Sequence, residues 1–65
     1  MNLQAQINKD FINYFTPDKQ WCFLQRNDGV ILVYKLDKKN SVYNYQEIKL
    51  NTLTECEQYL ASHCA

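Results

Sequence analysis

The sequence predicts an α+β fold. The expected form is a small two-layer α-β-β-β-α domain, a three-stranded antiparallel meander with two helices packed on one face. Three observations predict it. An apolar stripe at helical spacing opens the chain. A glycine-bearing turn splits two strand-forming runs in QWCFLQRNDGVILVYKL, residues 20 to 36. A capping box precedes a second apolar stripe near the end. With 65 residues the chain is read as a single domain, 1–65.

The first helix is expected over LQAQINKDFINYF. Leu3, Ile7, Phe11 and Tyr14 or Phe15 recur every three to four residues, which leaves Asn8, Lys9 and Asn13 toward water. Asn2 is the candidate N-cap. Pro17 disfavours helical geometry at Thr16 and ends the segment.

Trp21 to Arg26 is rich in strand formers. Trp21, Phe23 and Gln25 share one face, and Cys22, Leu24 and Arg26 the other. Asn27-Asp28-Gly29 signals a hairpin, because the only glycine of the chain falls where a positive φ is wanted. Val30 to Leu36 is the second strand, apolar on both faces. Asp37 to Ser41 is a polar turn, and Val42 to Leu50 the third strand. Thr52 with Glu55 then forms a capping box, Thr54 with Glu57 offers a second register, and Leu53, Cys56, Leu60 and Cys64 make the inward stripe of the second helix.

The order α-β-β-β-α resembles that of double-stranded RNA-binding domains, a resemblance of element order alone. It implies a lysine cluster at the start of the second helix that grips phosphates. The corresponding stretch here is TLTECEQ, with Glu55 and Glu57 and no lysine.

Composition narrows the function. Hydrophobic residues make up 46% of the chain and aromatic ones 14%, so disorder is excluded on the expected balance of burial against ordering entropy. Net charge is zero, which argues against a dedicated nucleic-acid binder, since phosphate neutralisation supplies most of such affinity. Frequent Asn and Gln suggest an AT-rich source such as a phage or mobile element. Met1 to Ala5 shows no cationic or apolar leader, and the three cysteines are read as reduced thiols of a cytoplasmic protein.

No catalytic, cofactor or metal site is expected. His63, Cys64, Cys56 and Cys22 lack paired zinc-ligand spacing. Asp28 and Asp37 are turn residues, and Glu55 and Glu57 are explained by capping. A chain this short is also expected to lack a deep cleft of about 300 Å³ or more. The surplus is apolar: three strands carry large side chains on both faces, and the helices shelter one. The sequence therefore predicts a non-enzymatic protein-binding module, of the kind a phage or mobile element uses to inhibit a larger protein complex by covering its surface. Its expected contact residues are Trp21, Tyr34, Tyr43 and Tyr45, with Lys38 and Lys39 steering an acidic partner. A homodimer is a second expected partnership. The alternative is a nucleic-acid-binding domain that uses Lys35, Lys38, Lys39 and Lys49 with the tyrosines.

Overall fold

In the computed structural model, which describes residues 3–63, the chain forms five strands and one helix. The strands are β1 (Gln4–Ile7), β2 (Phe11–Phe15), β3 (Trp21–Arg26), β4 (Ile31–Asp37) and β5 (Val42–Leu50); α1 spans Leu53–His63. They make one antiparallel sheet in the order β1-β2-β3-β4-β5, each strand beside its neighbour in sequence. The expected three-stranded meander with two helices is therefore corrected. Residues 4–15 form a hairpin, and a single helix covers the sheet. The α-β-β-β-α resemblance to RNA-binding domains ends with that correction. The proposed cap Asn2 and the stripe residue Cys64 lie outside the described residues.

The N-terminal hairpin has a physical cause. FINYF is aromatic and β-branched, and Asn8-Lys9-Asp10 supplies turn formers at its start. An isolated helix of about 13 residues is marginal in water. It would also leave the outer backbone of β3 without partners. As strands, Tyr14 pairs with Phe23 and Ile12 with Gln25, which satisfies that edge. The four-residue spacing of Leu3, Ile7, Phe11 and Phe15 fits a helix stripe, but the reversal at residues 8–10 sends Ile7 and Phe11 to opposite faces.

The β3–β4 turn forms as its chemistry demands. The Gly29 amide donates to the Arg26 carbonyl at 3.0 Å, and the Arg26 amide donates to the Val30 carbonyl at 2.8 Å. Gly29 has φ 91°, the left-handed residue that closes a three-residue hairpin loop. At the helix start the Glu55 amide donates to Thr52 Oγ1 at 3.1 Å. Glu55 Oε1 accepts from the Asn51 amide at 3.1 Å, one residue before the cap.

The core lies between the sheet and α1. Phe23, Ile31, Val33, Cys56 and Leu60 are fully buried, and Trp21 nearly so. Tyr14, Ile48, Leu50, Leu53 and Tyr59 pack around them. The Trp21 ring meets Tyr59 edge-on at 5.5 Å, and Lys35 Nζ lies 5.2 Å over it. Among the described residues no helix is long and apolar enough to cross a membrane.

Two stability outcomes follow. Phe23→Ala empties the centre of the core and should cost about 3–5 kcal/mol, enough to unfold much of a domain this small in a urea titration. A Cβ at Gly29 meets no atom within 4 Å. The left-handed backbone alone should therefore make Gly29→Ala cost about 1–2 kcal/mol in the same titration.

Candidate functional site

Strand alternation divides the sheet into two faces. Trp21, Phe23, Ile31 and Val33 point to α1. Phe15, Cys22, Tyr34 and Tyr45 point the other way and lie opposite one another across four strands. The next row joins Asn13, Leu24, Leu32 and Lys49, and Leu36 lies opposite Tyr43. No element among the described residues covers this second face.

The rings there form a layer of their own. Tyr34 and Tyr45 are 5.5 Å apart between centroids, and Phe15 and Tyr43 are 5.9 Å apart. Tyr45 is the most open, at 39% exposure. Tyr43 is half-buried and tied down, its hydroxyl donating to the Lys19 carbonyl at 2.6 Å. Burial, with the nearby Cys22 and Asp18, raises its pKa. Cys22 sits beneath the layer at 6% exposure, and burial pushes its thiol up to about 11. The protonated thiol lies 3.7 Å from Asn13 Oδ1. Such a group is a weak nucleophile.

Polar turns frame one end of the face. In the β2–β3 turn, Thr16 Oγ1 donates to Asp18 Oδ1 at 2.6 Å and accepts from the Trp21 amide at 3.2 Å. The Thr16 hydroxyl, then the Gln20 amide and, more weakly, Lys38 hold the Asp18 carboxyl below its ordinary value of 3.8. In the β4–β5 turn Asp37 accepts from the Lys39 amide and from Asn40, which fixes the loop that presents Lys38 and Lys39.

The expected contact residues thus fall into three groups. Tyr34, Tyr43 and Tyr45 share the open face. Lys38 and Lys39 stand at its end. Trp21 lies on the opposite face, at 6% exposure under α1. The expected lysine set is divided as well: Lys35 lies on the helix side beside Trp21, and Lys49 on the open side opposite Leu32. Phe15 joins the tyrosine layer although the sequence reading had placed it on a helix.

The surface does carry a shallow hollow. One of about 380 Å³ opens between the β1–β2 and β3–β4 turns, lined by Ile7, Lys9, Phe11, Ile12, Gln25 and Arg26 among others. It is an open depression, and Arg26 beside it is paired to Asp28 at 2.8 Å. Among the described residues no three His, Cys, Asp or Glu side chains come together as a metal site requires.

No protein-family model, curated protein or solved structure matches this chain. The class defined by the coordinates is therefore a fold alone, a five-stranded antiparallel meander covered on one side by a C-terminal helix.

Tyr43 and Tyr45 should separate in a stability assay. Tyr43→Phe removes the bond to Lys19 and should cost about 0.5–1.5 kcal/mol. Tyr45→Phe removes no internal bond and should stay within about 0.5 kcal/mol of the parent, both read by chemical denaturation.

Proposed function

We propose that the protein is a non-enzymatic protein-binding module that docks through the open sheet face and acts by occupying the surface of a larger protein. The observation behind this reading is the aromatic layer of Phe15, Tyr34, Tyr43 and Tyr45 on a face without a covering element. Tyr45 is exposed and Phe15, Tyr34 and Tyr43 are half-buried; apolar surface gathered on one face in this way marks contact sites, and tyrosine offers large rigid area with a polar tip. Trp21 serves as a core residue in this scheme, not as a contact.

Size supports a contact that reaches past the rings. Five strands about 4.8 Å apart and on average about 20 Å long give a planar face of roughly 400–500 Å². A stable complex covers about 800 Å² on each partner. The footprint must therefore extend over a rim, and the turn holding Lys38 and Lys39 is the charged one. An acidic border on the partner complements it and speeds encounter.

The test compares capture of a protein from source-cell lysate by the parent chain, by Tyr34→Ala/Tyr45→Ala and by Glu57→Ala. The parent and Glu57→Ala should retain the same protein after nuclease treatment, with little loss between about 50 and 200 mM salt. The tyrosine variant should lose it while remaining folded. Loss on nuclease treatment, or equal capture by all three chains, would overturn the reading.

A further inference from the structure

The sheet ends on one side at β1, and among the described residues no strand pairs with the outer side of its backbone. The Asn8 amide donates to the Phe11 carbonyl at 2.9 Å. Pair types alternate along an antiparallel ladder, so Gln6 with Asn13 and Gln4 with Phe15 are the hydrogen-bonded pairs. The N–H and C=O groups of Ala5 and Ile7 therefore point away from β2, off the edge of the sheet. Every residue of β1 is exposed, and Ile7 is 78% exposed, more than any other large hydrophobic side chain among the described residues.

The two sheet edges are treated differently. β5 runs nine residues but is broken by an irregularity opposite Leu32 and Tyr34, where Glu47 takes φ 59°. Glu47 and Lys49 also put charge along it. Bulges and charges are standard protections of an edge. Gln4–Ile7 has no charge, no proline and no positive φ; the β2–β3 turn touches it only at the Gln4 side chain, where Lys19 Nζ donates to Oε1 at 2.9 Å.

We infer that β1 is a pairing edge for a second copy of this chain, joined antiparallel about a two-fold axis between the two Gln6 residues. The occupant follows from self-complementarity. In that register Ala5 of one copy forms hydrogen-bonded pairs with Ile7 of its partner, and Ile7 with Ala5. The groups that point off the edge meet their counterparts at both positions. The exposed Ile7 side chain lies across from the small Ala5 on the same face, and an uncharged strand meets itself without repulsion. Only two residues from each copy engage, so the pairing is weak and concentration-dependent.

The symmetry has a further result. A two-fold axis perpendicular to the sheet keeps both helices on one side and sets the two open faces side by side. The joined face is about 800–1000 Å² in planar area, which reaches the size a stable complex needs. The pairing itself does not rest on the docking reading above.

Amide hydrogen exchange and light scattering over a concentration series test it. The apparent mass should rise from 7.8 kDa toward twice that value. The Ala5 and Ile7 amides should slow by at least about tenfold on concentration, while the Gln4 and Gln6 amides are protected throughout. Ala5→Pro removes only an outward N–H and should leave a folded monomer. Ile7→Lys should do the same by charge. Tyr34→Ala/Tyr45→Ala should pair as the parent does. A constant mass with fast Ala5 and Ile7 exchange at every concentration would overturn the inference. So would pairing that survives both edge variants, or pairing lost only in the tyrosine variant.

Discussion

A single apolar stripe on α1 governs this molecule. Cys56 and Leu60 are buried against Phe23, Ile31 and Val33, and that contact holds the only core among the described residues. A sheet has two faces, and one 11-residue helix covers one of them. Burial on the helix side leaves the other face to protect itself. It does so with tyrosine, whose ring shields Cys22 while its hydroxyl meets water or, in Tyr43, the Lys19 carbonyl. The aromatic layer of the open face follows from having two sheet faces and one helix.

Much of the centre of the fold was legible in the residues. The Asn27-Asp28-Gly29 turn, the faces of β3 and β4, and the capped helix all rest on local chemistry that acts within four residues. The N-terminal hairpin was not legible, because a spacing of four serves a helix stripe and, as an even number, also one side of a strand. What decides between them is remote. The outer backbone of β3 needs partners, and β2 supplies them. A short segment with mixed signals takes the structure that its neighbour requires.

The candidate site was legible to the same degree. Strand alternation puts Tyr43 and Tyr45 on one side of β5, and pairing with β4 adds Tyr34. Trp21 had the same aromatic character but the opposite parity, so the face that α1 chose decided its role. That choice depends on register across the whole sheet, which no local pattern encodes. The left-handed Glu47 carried no signal at all, since glutamate has no preference for that geometry.

The meander has a kinetic meaning. Each strand pairs only with those next to it in the chain, and the turns between them are short. Assembly can thus advance like a zip from any hairpin, closing small loops one after another. Docking of α1 is the step that joins it to strands two or more elements earlier in the chain and closes the core. α1 follows all five strands in the chain, so the nascent sheet carries both greasy sides bare until that segment has left the ribosome.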